Sequence, residues 1–175
     1  FKVPEKGAIY LAQRLKKGDK VKRPANGGQG WAIDTFDEII TDWYLNEFWE
    51  RLGIDEGKLR CFFHDSFEYT GDFTTDFTAQ FKKRRGYELA EILYELSGDC
   101  TDSIKVARAK SDYRETLSDL VLESFIQPMT NWAHDHKSLN RNQAHGSPGN
   151  ILDLYAACDI PETEIFRTVE PGTVD

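Results

Sequence analysis

Apolar positions follow two different periods along this chain. From Phe36 they recur every four residues, at Phe36, Ile40, Tyr44, Phe48 and Leu52, with Ile39 and Trp43 beside them. That spacing predicts one amphipathic helix. Asp34 or Thr35 can cap its start, and Gly53 can end it. The stretch Leu59–Glu68 differs: Leu-Arg-Cys-Phe-Phe runs apolar on both faces before His64, Asp65, Ser66 and Glu68. A parallel strand covered on both sides has this character.

Further on, Phe77 and Phe81 lead into Lys82-Lys83-Arg84-Arg85 and stop at Gly86. This predicts a helix whose basic run complements the dipole at its end and is otherwise a solvated face. A short helix follows over Glu88–Leu96. Thr101–Lys137 is mostly helical, its stripe of Tyr113, Leu117, Val121, Phe125, Met129 and Trp132 reading as core, with Leu120 beside it. Pro128 interrupts that ladder, which predicts a kink. Ser138–His145 reads as an unusually polar strand, Asn150–Ala157 as a short helix, and Asp159–Glu164 as the start of a fourth strand or the loop after one. Trp31–Asp34 reads as a short strand before the first helix. Residues 1–29 form a polar, Gly-rich lead-in, and residues 30–175 the main domain. The order strand, helix, strand, helices, strand, helix, strand start predicts an α/β architecture with a parallel sheet.

At 175 residues the chain can bury one ordinary core. With 30 Asp and Glu against 22 Lys and Arg it lacks the basic balance that nucleic acid or an anionic membrane would need. No apolar run is long enough to span a bilayer. Cys61, Cys100 and Cys158 make neither a disulfide framework nor a zinc motif; Cys61 and Cys158 read as small buried residues. The opening Phe1-Lys2-Val3-Pro4 reads as the start of an internal piece of a longer chain. Aromatic residues make up 13%, enough for a rich core or for rings that stack on sugars.

In a parallel α/β fold every strand ends on the same side. Asp34, then His64, Asp65 and Glu68, then Asn142, Gln143 and His145, then Glu162 and Glu164 would gather at one rim. Clustered carboxylates suit general acid chemistry. Gly146-Ser147-Pro148-Gly149 lacks the Gly-x-Ser-x-Gly of a nucleophile elbow. His134 and His136 diverge on their helix and read as surface residues. His64 and His145 carry no zinc-site spacing. Asp34 fits a helix cap as well as a ligand.

Phe63-His64-Asp65-Ser66-Phe67-Glu68, Asn140-Arg141-Asn142-Gln143-Ala144-His145-Gly146 and Asp159-Ile160-Pro161-Glu162-Thr163-Glu164, with Gly30-Trp31-Ala32-Ile33-Asp34 before them, resemble the α-L-rhamnosidases of glycoside hydrolase family 106. The resemblance covers most of residues 28–166. It implies part of a (β/α)8 TIM-barrel catalytic domain, three to four parallel strands of the eight, completed by the remainder of a parent chain. It implies hydrolysis of terminal α-L-rhamnosides, from a rhamnose-containing oligosaccharide or polysaccharide, by an inverting two-carboxylate mechanism. Glu68 with Glu162 or Glu164 would be catalytic; Asp34, His64, Asp65, Asn142, Gln143 and His145 would bind substrate. It further implies calcium near the site, with ligands not identified, and a periplasmic or secreted location. A barrel glycosidase for another sugar and a non-catalytic carbohydrate-binding module are the alternatives.

Overall fold

The computed structural model describes residues 8–12, 18–22, 24–68 and 71–163. The chain divides into two compact units, Phe1–Gly18 with Asp76–Thr116, and Asp19–Thr75 with Leu117–Asp175.

The second unit carries a three-stranded sheet in the order β1 (Cys61–His64), β2 (Leu139–Asn142), β3 (Ile160–Pro161). Both pairings are parallel, with Phe63 opposite Arg141 and Arg141 opposite Ile160. The expected parallel α/β character is therefore present. Two strand expectations need correction. Residues 31–34 do not join the sheet; Trp31 makes a single antiparallel bridge to Lys20. The backbone there is spent locally, Val21 N–H donating to Gly30 O (3.0 Å) and Ala32 N–H to Asp19 O (2.8 Å). The polar strand expected over 138–145 ends at Asn142, because Ala144 turns to a left-handed φ of 52°. The third strand is Ile160–Pro161, within the segment read as a strand start. As an edge strand it tolerates Pro161, which has no N–H to give to a ladder.

Side chains alternate across the sheet. Phe62 and His64 share a face with Asn140 and Asn142. Helices cover this face: α1 (Glu38–Leu52), and α5 (Gln127–Asp135). Phe62 lies 4.7 Å from the Trp132 ring and 6.3 Å from Phe48, centroid to centroid. Phe63, Leu139 and Arg141 point the other way. His136, expected at the surface, instead packs against Trp49 at 4.1 Å and Trp132 at 4.5 Å. His134 is exposed and pairs with Asp159 at 2.9 Å.

Helix α1 starts one turn later than Asp34 or Thr35 would set it. Asp37 is its cap, accepting from the N–H groups of Ile39 and Ile40. Gly53, at φ 61°, ends it as expected. The helix buries Thr41 and Leu45, a quarter-turn from the stripe read from sequence, and leaves Ile39 79% and Trp43 58% exposed. The apolar surface of this helix is wider than one face, so periodicity alone did not select the buried one.

The long helical stretch is α4 (Ser103–Val121), a wide turn over Leu122–Ile126, and α5. In the wide turn Gln127 N–H donates to Leu122 O, five residues back. Pro128 comes next and cannot donate to the carbonyl four residues earlier. The π-type turn absorbs the break that Pro128 imposes. The stripe Leu117, Leu120, Val121, Phe125 and Met129 is core, as its period predicts. Helix α6 (Ile151–Ala156), capped by Asn150, links β2 to β3. The three cysteines are free and half-buried; burial pushes the Cys158 thiol up.

The first unit is helical over Asp76–Thr116, with α2 (Phe77–Arg85), a 3-10 turn (Leu89–Ile92), α3 (Leu93–Leu96) and the start of α4. Phe77 and Phe81 are fully buried. Gly86 ends α2 in the left-handed region. The basic run is partly neutralised by its own acids, Lys82 with Glu88 and Arg85 with Glu115 at 2.9 Å.

Candidate active site

Strand β1 delivers His64, Asp65, Ser66, Phe67 and Glu68 to the wall of an open cleft of about 500 Å³. Residues from three other places complete it: Val21, Lys22, Trp31, Ala32, Ile33 and Thr35 from the stretch before α1, Tyr44 from α1, and Phe125 from the wide turn. The cleft thus holds two carboxylates, a lysine and four aromatic rings, Trp31, Tyr44, Phe67 and Phe125. Trp31 is 64% exposed, and Lys20 Nζ sits 5.5 Å from its ring centroid. Lys22 Nζ is 3.4 Å from Glu68 Oε2. Asp65 Oδ1 accepts from Ser66 N–H at 2.7 Å, fixing the turn out of β1.

The loops after β1 and β2 touch through backbone. Phe67 N–H donates to His145 O at 2.7 Å. Gly146, at φ 76°, comes so close that a Cβ there would lie 2.5 Å from Phe67 O. Only glycine permits this approach, and the contact sets where Phe67 and Glu68 stand.

His64 lies between the Phe67 and Phe125 rings, at 4.7 and 4.8 Å, with Asn142 Nδ2 at 3.3 Å from its Nδ1. Burial pushes its pKa down to about 4, against a smaller opposing pull from Asp65. It is a neutral imidazole at neutral pH, a hydrogen-bonding group and not a cation. The unfolded chain protonates this histidine near pH 6.5 and the folded one only near 4, so folding stability falls as pH drops through that window. One edge of the ring still meets the cleft, which tempers the effect to about 2–3 kcal/mol at one kcal-scale step per pK unit. Urea melts between pH 7.5 and 4 should show this loss. His64→Gln should flatten the dependence over the same range; an unchanged slope would remove His64 as its source.

The other residues read from sequence lie elsewhere. Asp34 accepts from Phe36 N–H (3.0 Å) and Thr74 Oγ1 (2.8 Å), holding the turn before α1. Asn142 is fully buried on the helix-covered face. Gln143 is buried, and its N–H continues the sheet to His64 O at 3.1 Å. Among the described residues, the carboxamide oxygens of Asn140, Asn142 and Gln143 have no hydrogen-bond partner. His145 is exposed and meets the cleft loop through its backbone oxygen. Glu162 follows β3, its N–H donating to Asn142 O at 3.0 Å, and its carboxylate pairs with Arg141. Glu164 lies outside the described residues. Asp34, Asn142, Gln143, His145 and Glu162 are not among the cleft walls.

Lys22, Trp31 and Tyr44 were not singled out as site residues from the sequence. Lys22 lies in the polar lead-in, Trp31 in the strip whose pattern predicts a strand, and Tyr44 in the apolar stripe of α1. An aromatic beside a Gly-rich loop was the one local signal for Trp31. Among the described residues no group of three or more His, Cys, Asp or Glu is placed to hold a metal ion.

A parallel α/β sheet with an acidic, aromatic-lined cleft at a strand end belongs to the glycoside hydrolases in this case. The chain is a member of the family described as alpha-L-rhamnosidase, glycoside hydrolase family 106, whose family model matches residues 16–173. It is also similar to a protein of Formosa agariphila (strain DSM 15362 / KCTC 12365 / LMG 23005 / KMM 3901 / M-2Alg 35-1) named "Putative beta-glucuronidase", 25% identical over 177 residues. That match covers 95% of this chain and 15% of the relative's length. No helix among the described residues is long and apolar enough to cross a membrane.

Proposed function

We propose that the full-length protein hydrolyses terminal α-L-rhamnosides with inversion of configuration, in a (β/α)8 barrel of which this chain supplies three parallel strands. The observation that carries the reading is the cleft at the end of β1, which joins Glu68 to the exposed Trp31 and Tyr44. Aromatic faces offer a sugar ring an apolar platform, and a carboxyl beside them can reach the glycosidic oxygen. Glu68 is the general acid in this reading. Glu162 is the general base in this reading: it follows β3 at the same end of the sheet, ion-paired with Arg141, though outside the walls of the β1 cleft. An inverting pair needs roughly 6.5–9.5 Å between its carboxyl groups, and carboxylates that follow two different strands, β1 and β3, can supply such a gap. His64, Asp65, Asn142, Gln143 and His145 support these loops or the sugar hydroxyls. The site of action is outside the cytoplasm, in the periplasm or beyond, and an export signal on the full-length chain would support that.

A second reading is a glycosidase for an acidic sugar. Lys22 is a cation in the cleft, beside Glu68, the Formosa relative carries a glucuronidase name, and a uronate carboxylate would offer Lys22 a second anionic partner. The two are separated by assaying the full-length enzyme on aryl α-L-rhamnoside and aryl β-D-glucuronide. Rhamnoside cleavage giving the inverted anomer by NMR is the expected result. Cleavage of the glucuronide alone would replace the first reading with the second. Sugar binding without any cleavage would leave a carbohydrate-binding module.

A further inference from the structure

We propose that Arg141 is a positioning residue for the hydrolytic step, holding the Glu162 carboxylate in the direction from which it activates water. This rests on the reading of Glu162 as the base. Arg141 Nε and Nη2 both meet Glu162 Oε2. The guanidinium carbon lies 4.5 Å from the centroid of the Phe63 ring. Register explains the stack: Phe63, Arg141 and Ile160 form one row across the three strands, on the face away from α1 and α5. Glu162 is two residues past Ile160 and returns to that face. The guanidinium is thus held below by a ring and at its edge by the carboxylate.

The backbone of Glu162 is held as well. Its N–H donates to Asn142 O at 3.0 Å. Its carbonyl lies 2.8 Å from the Tyr155 hydroxyl, which is also 2.9 Å from Gln143 O, so one proton is shared between the ends of β2 and β3. Stability alone is a weak explanation for so many constraints. The pair is 40% and 28% exposed at its side chains, and pairs of that exposure contribute little to folding. What the arrangement does is remove the freedom of one carboxylate. Arginine suits this better than lysine, because a planar fork can stack and bind an oxygen edge together.

The test is a double-mutant cycle in the full-length enzyme, using an aryl α-L-rhamnoside and reading kcat and KM separately. Arg141→Met should lower kcat by about 30-fold and leave KM within about threefold, since small misplacements of a reacting group cost rate more than binding. In a Glu162→Gln background the same change should cost less than about twofold, because Arg141 acts through Glu162. Arg141→Lys keeps the charge and most of the volume but loses the fork. It should lower kcat by about tenfold and likewise lose its effect beside Glu162→Gln; it serves if Arg141→Met does not fold. Equal losses from Arg141 substitution in both backgrounds would overturn the proposal while leaving Glu162 as the base. A rise in KM alone would make Arg141 a substrate-binding group. Near-wild-type turnover by Glu162→Gln would overturn the reading of Glu162 and this proposal with it.

Discussion

If Glu68 is the general acid, Glu68→Gln in the full-length enzyme should lower kcat by about 10²–10⁴-fold, the usual contribution of general acid–base catalysis. The substitution keeps size and hydrogen-bonding capacity and removes the transferable proton. Glu68 is on the cleft wall, three residues past Asp65 and beside Lys22. Aryl rhamnosides with good and poor leaving groups give the sharper measurement. A leaving group that departs without protonation should escape most of the loss, whereas a poor one should show all of it. Uniform mild loss across the series would make Glu68 a sugar-binding residue. Asp65→Asn is the natural comparison: Asp65 lines the same cleft but its carboxylate holds Ser66 N–H, so its loss should be smaller and indifferent to the leaving group.

Gly146→Ala carries the largest expected structural cost. The φ of 76° is unfavourable for any residue with a Cβ, and that Cβ would stand 2.5 Å from the backbone oxygen of Phe67. Left-handed backbone costs about 1–2 kcal/mol. Relieving the clash must also strain the Phe67–His145 hydrogen bond, worth about another 1 kcal/mol. The sum is about 2–3 kcal/mol, which should lower the melting temperature by roughly 4–12 °C for a domain of this size. Gly53→Ala supplies the control. Gly53 has a φ of 61° but nothing within 4 Å of the added atom, so it pays for handedness alone. Equal shifts for the two variants would show that the loops after β1 and β2 do not press together at Gly146. If they do, Gly146→Ala should also lower kcat, because Phe67 carries Glu68.

The site was legible in part. The apolar run into His64, Asp65 and Glu68 predicted a strand with polar groups crowded at its carboxyl end, and those residues do line the cleft. That placed half of the cleft. The other half was hidden for a tertiary reason. Lys22 and Trp31 reach the cleft because Asp19–Val21 pair with Gly30–Ala32, a pairing between short polar strips without strand periodicity. Tyr44 reaches it because α1 turns Thr41 and Leu45 inward, and an apolar surface that wraps most of a helix does not say which side is core.

By itself, the sequence determined the elements that local chemistry dictates. These are the helix ended by Gly53, the one ended by Gly86, the long core stripe through Phe125, the break at Pro128 and the parallel character of the sheet. Each depends on periodicity, on a residue without a Cβ or on a residue without an N–H, all properties of nearby positions. Tertiary structure alone decided the rest. It made β3 the third strand in place of Trp31–Asp34, buried Asn142 under the helices, put Asp34 to work on a turn, and set Arg141 against Glu162 and Phe63. Those outcomes depend on which strands become neighbours and which face the helices cover, and hydrogen bonds between residues far apart in sequence leave no period to read.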